Sequence, residues 1–378
     1  MTTPCYVYDI DILKNRINNI KNELPGIPLT FSIKANSFVL SSISEEVSHV
    51  EVCSPGELHI CKALSLNPDK IIYSGVMKEE KDVCEAITYG VHILTAESKR
   101  HFSLITHAAQ ELGKTVNVIL RISSDNQFGM DPEDIYEIIS NKEVHKNVYI
   151  CGFHYYSGTQ KKKIKQIKSD IEKIENVVNT CKSLYGFVPE LVEYGPGLAV
   201  EYFKESGDVD DVELLKTVTP IIQDFAKRVP LGIEMGRFIV ANCGSYFSSV
   251  KDIKSNYGIH YVIMDGGIHQ LKYYGQIMAM HSPILVQNTN RGGDKQKYCL
   301  CGSLCTVADV LVKEAELYEL QIDDVIEFKK CGAYSLTEAS SLFLSRDMPT
   351  VYLKENGNLK VVRGSVESSE INTIGYKI

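Results

Sequence analysis

Leu29-Thr30-Phe31-Ser32-Ile33-Lys34-Ala35-Asn36-Ser37 is a run of apolar and small residues that stops at a single lysine. The pattern predicts a buried strand with Lys34 carried at its C-terminal end. An ammonium at the edge of a packed interior loses hydration, which favours the neutral amine and makes it a usable nucleophile towards an aldehyde. Most strand-end lysines simply snorkel to water. What surrounds Lys34 therefore decides the reading.

Working outward, β-rich apolar runs recur near 28–33, 49–53, 70–74, 91–95, 115–121, 148–153, 190–194 and 230–234, eight in all. Helix-length segments lie between them, among them 55–64, 78–89, 98–112, 161–184 and 212–228. Strands alternating with helices imply parallel pairing. Eight such units in succession match a closed (β/α)8 barrel, spanning 26–244. An open doubly wound sheet would carry a Gly-rich turn after its first strand, and Lys34-Ala35-Asn36 has none. Before the barrel come a short strand at 5–8 and an amphipathic helix ended by Pro25-Gly26. Beyond residue 245, short β runs (246–250, 259–264, 297–301, 325–328, 350–353, 359–362) are separated by turns. They predict a second, all-β domain made of 1–25 and 245–378, so the chain is α/β with a C-terminal β domain.

Composition bounds the partners. The chain has 378 residues, 44% apolar and 23% charged, with a net charge of −8. That balance carries no nucleic-acid footprint. No apolar run approaches the ~18 residues of a membrane span. The start, Met1-Thr2-Thr3-Pro4-Cys5, shows no secretory signal, so the cytoplasm is the expected compartment. Eleven cysteines, odd in number and mostly inside apolar runs, fit reducing conditions. Cys299, Cys301 and Cys305 match no common zinc spacing, and no metal site is expected.

Barrel chemistry collects at the C-terminal ends of the strands. Those ends read Lys34, Ser54, Ser74, Arg121, His154 with Tyr156, Gly195-Pro196-Gly197, and Glu234-Met235-Gly236-Arg237. Loops after the seventh and eighth strands commonly grip phosphate, and their glycines let backbone N–H groups approach an anion. Gly-Pro-Gly alone is usually just a turn; together the loops favour a phosphate. A nucleophilic lysine facing a phosphate cradle suggests pyridoxal phosphate bound through Lys34, with Glu234 against the ring nitrogen. A carboxylate there makes the ring a strong electron sink, which suits decarboxylation.

At these residues the chain resembles the fold-type III pyridoxal-phosphate decarboxylases, the diaminopimelate and ornithine decarboxylase family, whose barrel is of the alanine-racemase type. Phe31-Ser32-Ile33-Lys34-Ala35-Asn36 is similar to the cofactor-lysine motif, and Ser54-Pro55-Gly56-Glu57 to Ser-x-Gly-Glu. Glu234-Met235-Gly236-Arg237 resembles Glu-Pro-Gly-Arg, and Gly195-Pro196-Gly197 stands where the family has phosphate-binding glycines. Gly302 to Asp309 resembles Gly-Pro-x-Cys-Glu-Ser-x-Asp, and Gly332-Ala333-Tyr334 resembles Gly-Ala-Tyr, whose tyrosine reaches the phosphate. The resemblance implies a head-to-tail homodimer with shared sites, Cys305 coming from the neighbouring subunit. A thiol with an ordinary pKa of ~8.5 is protonated at neutral pH and can return a proton to a carbanion.

The departures bear on substrate. The family's His-x-His-Ile-Gly-Ser becomes His154-Tyr155-Tyr156-Ser157-Gly158-Thr159-Gln160, so Tyr156 falls where a histidine covers the ring. His154 matches the first histidine, and Thr159 joins the cofactor-binding set. Tyr273 stands at the position of an arginine that reads a distal carboxylate, and Thr306 at that of an acid that receives a distal amine. Losing both charge readers argues against diaminopimelate, ornithine or lysine as substrate. Tyr-x-Gly-Thr-Gln, Asp-Gly-Gly-x-His and Leu-Cys-Thr-x-x-Asp resemble instead the branch of antibiotic and siderophore biosynthesis, whose substrates carry a large acyl or carrier-protein-linked extension. His269 and Gln270 would then be neutral readers of it.

The expected activity is decarboxylation of such an amino acid, with Lys34 and Cys305 catalytic. A diaminopimelate-, ornithine- or lysine-type enzyme of primary metabolism and an amino-acid racemase are the rival enzymes. Glu234 disfavours the racemase, which uses an arginine at the ring nitrogen. A non-catalytic cofactor carrier has no use for a β domain bearing Cys305 and Tyr334.

Overall fold

The computed structural model describes residues 1–204 and 210–375; positions 205–209 and 376–378, within the predicted domain ranges, lie outside the described residues. Strands are β1 (Cys5–Asp9), β2 (Leu29–Ser32), β3 (His49–Val52), β4 (Ile71–Tyr73), β5 (Ile93–Ala96), β6 (Val116–Arg121), β7 (Val148–Tyr156), β8 (Leu191–Gly195) and β9 (Leu231–Met235). From β2 to β9 each strand pairs in parallel with the next. The ring closes where Thr30 of β2 lies opposite Glu234 of β9. The (β/α)8 barrel expected from the alternation is therefore the observed architecture.

Parallel strands covered on both faces carry near-continuous apolar sequence, with the inward set repeating every second residue. Ile72, Ile93, Ile119 and Cys151 form an apolar layer across the barrel, with Leu191 packed against it. Two residues further along the same strands stand Ser74, Thr95, Arg121 and Glu193, all buried. The interior thus turns from apolar to polar towards the C-terminal ends. That gradient builds the site.

Helix boundaries follow their caps. Ser54 accepts from the Glu57 N–H at 3.2 Å, with Pro55 in the first turn, and starts the helix Pro55–Ala63. The helix expected at 78–89 begins only at Glu80, because Lys78 reaches back to the Gly75 carbonyl at 2.5 Å and Glu79 with Asp82 forms a capping box. The one expected at 161–184 begins at Ile164, since Lys161 forms a strand-like bridge to Leu198. A helix at Pro132–Ser140 has no counterpart in the sequence reading. β7 runs three residues past the expected 148–153, carrying His154 and Tyr156 on regular strand.

The remaining strands, β10 (Gly244–Asn256), β11 (Ile259–Met264), β12 (Leu285–Gln287), β13 (Gln296–Cys301), β14 (Val310–Leu317), β15 (Val325–Phe328), β16 (Thr350–Glu355) and β17 (Asn358–Arg363), join β1 in a nine-stranded sheet. β1 lies between β10, antiparallel, and β16, parallel, so the N-terminal strand belongs to this sheet. β12 and β14 were not anticipated. The contacts divide the chain into two compact units, Arg16–Ala199 with Asp210–Phe238, and Met1–Asn15 with Val200–Val209 and Ile239–Ile378.

Gly152 marks the tightest strand approach in the barrel wall: a Cβ there would lie 1.8 Å from the Leu191 carbonyl oxygen. Gly152→Ala must spread β7 from β8 and is expected to destabilise by about 2 kcal/mol or more. A lowered urea midpoint checks this, and an unchanged one would refute it.

Candidate active site

Glu234, at the end of β9, is buried in the barrel mouth. The Ser32 hydroxyl donates to its Oε1 at 3.1 Å, and His154 Nε2 lies 3.1 Å from Oε2. Lys34 Nζ stands 3.9 Å from Oε1. Burial alone would raise its pKa, but Lys34, His154 and Arg121 outweigh burial and hold it well below the usual carboxylate range. Glu234 is ionised inside a protein interior, with the Lys34 ammonium the largest of the contributions that keep it so.

Lys34 lies in the 3-10 turn Ile33–Ala35 directly after β2, with its side chain 37% exposed. Its amine contacts Glu51 Oε2 and sits 3.4 Å from Cys53 Sγ. Cys53 Sγ in turn donates to Glu51 Oε1 at 3.1 Å. An acid inside the apolar run of β3 was the available signal for Glu51, and the sequence reading passed over it. It also passed over Glu97, which pairs with buried Arg121 at 2.8 Å. Ser54 is committed to its helix cap and Ser74 to the Thr95 hydroxyl, 2.9 Å away.

The anion side of the mouth is built from loops locked together. Lys161 N donates to the Gly197 carbonyl at 2.9 Å and Ala199 N to the Lys161 carbonyl at 3.1 Å. Gly197 has φ +60°, and a Cβ on it would lie 1.9 Å from the Gly158 carbonyl oxygen. Only glycine allows that approach. A Cβ on Gly195 would strike the Tyr156 ring at 2.7 Å, and one on Gly236 would meet Ala35 Cβ at 3.1 Å and Ser32 Cβ at 3.2 Å. Gly236 therefore borders the Lys34 turn directly. Arg237 Nε donates to Thr159 Oγ1 at 3.2 Å. Beneath the loop, the buried Lys161 ammonium contacts Asp170, which also accepts from the Ser157 hydroxyl at 2.7 Å and from Tyr194 at 2.9 Å. In the sequence the basic run 161–163 with Lys165 reads as a solvated helix face; its first lysine is instead an internal anchor.

In the β unit, Asp309 Oδ1 accepts from Ile268 N and Oδ2 from Leu304 N, both at 2.8 Å. This carboxylate ties the turn before His269 to the turn that presents Cys305, whose side chain is exposed. Thr306 is half-buried beside it and accepts from Ala308 N at 3.3 Å. His269 is buried, and neither ring nitrogen has a hydrogen-bond partner among the described residues. Burial, with Arg346 second, pushes its pKa down to about 4, so the ring is neutral. Two expected readers are otherwise engaged. Tyr273 is buried, its hydroxyl donating to the Lys329 carbonyl at 2.8 Å with Cys331 Sγ at 3.0 Å. Gln270 accepts from Tyr246 and donates to the Asp347 carbonyl, so it is a packing residue. Tyr334 is half-buried at φ +63°.

An amine beside a carboxylate, bordered by side-chain-free backbone and an arginine, fits a ligand with an aldehyde, a ring nitrogen and a phosphate. Gly197 leaves no room for a Cβ and Gly236 leaves little, so these loops present bare backbone, and Glu234 keeps its charge. The barrel and this donor set define a pyridoxal-phosphate enzyme. The chain belongs to the pyridoxal-dependent decarboxylases, whose pyridoxal-binding-domain model matches residues 10–241. It is 27% identical to the diaminopimelate decarboxylase of Aquifex aeolicus, over 96% of this chain and 89% of that one. It is equally similar, at 27%, to the L-glutamyl-[BtrI acyl-carrier protein] decarboxylase of Niallia circulans, over 98% and 92%. A third relative at 27% is the 2-[(L-alanin-3-ylcarbamoyl)methyl]-2-hydroxybutanedioate decarboxylase of Staphylococcus aureus, over 93% and 94%. The fold matches the crystal structure of Helicobacter pylori diaminopimelate decarboxylase complexed with L-lysine, with a TM-score of 0.87 at 23% identity, covering 98% of this chain and 96% of that one. Among the described residues no helix is long and apolar enough to cross a membrane, and no cluster of three or more metal-ligating side chains occurs.

Glu193, missed in the sequence, lies in register between His154 on β7 and Gly232 on β9. It is fully buried, and neither oxygen has a hydrogen-bond partner among the described residues. Burial, with Glu234 and Glu51 adding to it against Thr30, pushes its pKa up to about 8. Below that pH the folded protein holds a proton that the unfolded chain has already lost, so stability falls as pH rises from the ordinary carboxylate range through about 8. Glu193→Gln mimics the neutral acid and removes the slope. Between about pH 5 and about pH 8.5 the variant should gain on the order of 1–3 kcal/mol over the wild type in urea unfolding. Parallel curves for the two proteins would contradict a protonated Glu193.

Proposed function

We propose that this pyridoxal-phosphate decarboxylase acts on an amino acid whose side chain carries a bulky acyl or carrier-protein-linked extension, in a biosynthetic route to a secondary metabolite such as an antibiotic or siderophore. The observation that carries the reading is the lack of charge among the candidate distal readers: Thr306 is neutral, Tyr273 is buried with its hydroxyl bonded, and His269 is an uncharged imidazole. A site built for a charged amino-acid head needs a buried partner for it, and without that partner the discrimination is lost. Two relatives named for acyl-extended substrates at the same 27% identity as a diaminopimelate decarboxylase support the reading.

Pyridoxal phosphate, when bound, supplies the sink that takes up the electron pair left as carbon dioxide departs. We assign to Lys34 the amine that holds the cofactor's aldehyde carbon. Glu234 keeps a proton at the ring nitrogen, and it can do so because His154 and Ser32 orient its two oxygens while its own pKa stays low. Tyr156 would lie against the ring, an aromatic in place of the usual imidazole. Gly195, Gly197 and Gly236, with Thr159 and Arg237, would hold the phosphate. Cys305 and Tyr334 complete the assignment from a second copy of the chain in a homodimer, Cys305 returning the proton to Cα and Tyr334 reaching the phosphate.

Two measurements test this. Purified protein given the cofactor should absorb near ~420 nm, as lysine-bound pyridoxal phosphate does, and Lys34→Ala should abolish the band. Carbon dioxide release from meso-diaminopimelate, ornithine and lysine should fall about 10³-fold or more below that from a γ-glutamyl carrier-protein thioester or an N-acylated diaminopropionate. Efficient turnover of meso-diaminopimelate would overturn the substrate assignment while leaving the cofactor assignment intact. Cys305→Ala should lower turnover at least 10²-fold with cofactor absorbance retained, the scale expected of a lost general acid.

A further inference from the structure

Lys34 is not the only reactive group at its position. Its Nζ and the Cys53 sulfur are 3.4 Å apart, with Glu51 touching both: Oε2 contacts the amine, and Oε1 accepts from the thiol at 3.1 Å. We propose that in the cofactor-free enzyme Lys34 Nζ and Cys53 Sγ become joined through a single oxygen atom under dioxygen or peroxide, a reducible cap that keeps the amine from taking up pyridoxal phosphate.

The geometry supplies what such a link requires. At 3.4 Å the two atoms are near enough that a rotation of either side chain can bring them within the span of one bridging oxygen. Both groups are partly open, Cys53 half-buried and Lys34 37% exposed, so a small oxidant reaches them. Glu51 is placed to take the surplus proton from the ammonium, leaving the neutral amine next to the thiol. Cys61 and Cys151 offer a contrast. Cys61 is buried in the helix Pro55–Ala63, and the Cys151 sulfur donates to the Val118 carbonyl at 3.4 Å.

The step balances. One amine, one thiol and one dioxygen give the N–O–S link and one water. An N–H and the S–H bond break, N–O and O–S bonds form, and the second oxygen leaves as water with the two hydrogens. Nitrogen and sulfur together give up four electrons, which reduce dioxygen fully. Two molecules of hydrogen peroxide accomplish the same oxidation with three waters released. Burial, then Glu51, pushes the Cys53 pKa well above its ordinary value, so the sulfur is held as the less nucleophilic thiol and the reaction is slow. The device answers to prolonged loss of cofactor, not to a brief oxidant pulse. The bound cofactor protects by engaging Lys34 itself.

The test is mass spectrometry of the full-length protein, freed of cofactor and incubated with hydrogen peroxide. The expected result is a gain of about 14 Da on one crosslinked pair of peptides containing Lys34 and Cys53, reversed by dithiothreitol, and absent from Lys34→Arg, Cys53→Ser and cofactor-loaded protein. Far-UV circular dichroism confirms that each variant is folded. Gains of about 32 or 48 Da on Cys53 alone, a loss of about 2 Da from a direct S–N bond, or unaltered masses at both residues would each overturn the proposal. Cofactor uptake is read separately. Oxidised wild type should lose the ~420 nm band on adding pyridoxal phosphate and regain it with dithiothreitol, while Cys53→Ser keeps it throughout. A crosslink with undiminished uptake would reject the cap and count against Lys34 as the cofactor amine, not against the link.

Discussion

One ionised carboxylate inside the barrel organises what surrounds it. An isolated carboxylate in a low-dielectric interior would take up a proton, since its desolvation far exceeds any single hydrogen bond. Glu234 stays charged because Lys34, His154 and Arg121 face it from three other strand ends and Ser32 donates to it. Arg121 in turn is oriented by Glu97, and Lys34 by Glu51. The mouth is thus a set of alternating acidic and basic side chains, each placed by its neighbours. Glu193 sits outside the set with no cation allotted to it, and the same physics makes it neutral. Two acids on adjacent strands, two residues apart in register, differ in charge for that reason.

The glycine loops at the mouth, proposed to hold the phosphate, depend on absence of side chains rather than presence of charge. Gly197 brings its backbone against the Gly158 carbonyl, and Gly236 packs against Ala35 and Ser32, approaches that larger residues would obstruct. Such loops have little to pack with and would be mobile if left alone. Lys161 and Asp170 prevent that: a buried ion pair, with Ser157 and Tyr194 satisfying the remaining carboxylate valence, pins the loop from below. A buried pair contributes little net stability after desolvation, but removing one partner leaves an uncompensated charge. Its value here is geometric.

How far this was legible in the sequence depends on whether a residue acts through its chain neighbours or through distant ones. The eight-fold alternation predicted the closed barrel because strand periodicity and helix length are local properties. Lys34, His154, Glu234 and the glycines could be picked out because barrel topology converts "end of a strand" into "same place in space". The sheet of the β unit was harder: in β14, Val310–Leu317, Leu311 and Val312 are both buried and Lys313 and Glu314 both exposed, so the two-residue alternation is broken, and its register against β13 shifts. Glu51, Cys53, Glu97 and Glu193 went unread since their importance lies in cross-strand distances that no spacing encodes. Lys161 was misread for a complementary reason. A run of three lysines looks solvated until Asp170, nine residues on, turns the first one inward.

Under the proposed function, the neutrality of Thr306 and His269 has a physical consequence for how substrates would be told apart. A charged head bound by a buried counter-ion is recognised by a single strong contact, and analogues lacking it are rejected steeply. His269, held neutral with both nitrogens unpartnered among the described residues, can only donate one hydrogen bond and accept another. Such a group suits an amide or ester carbonyl, whose dipole it can meet without a desolvated charge on either side. On the proposed reading, selection would come from shape and from several modest contacts along an extension, each of about 1 kcal/mol, not from one ion pair. Asp309 makes that arrangement stiff by tying the His269 turn to the Cys305 turn through two backbone N–H groups. Under the proposed function, His269 and Cys305 fixed to one carboxylate would keep their spacing, so an extension seated on the first would present its Cα at a defined distance from the second.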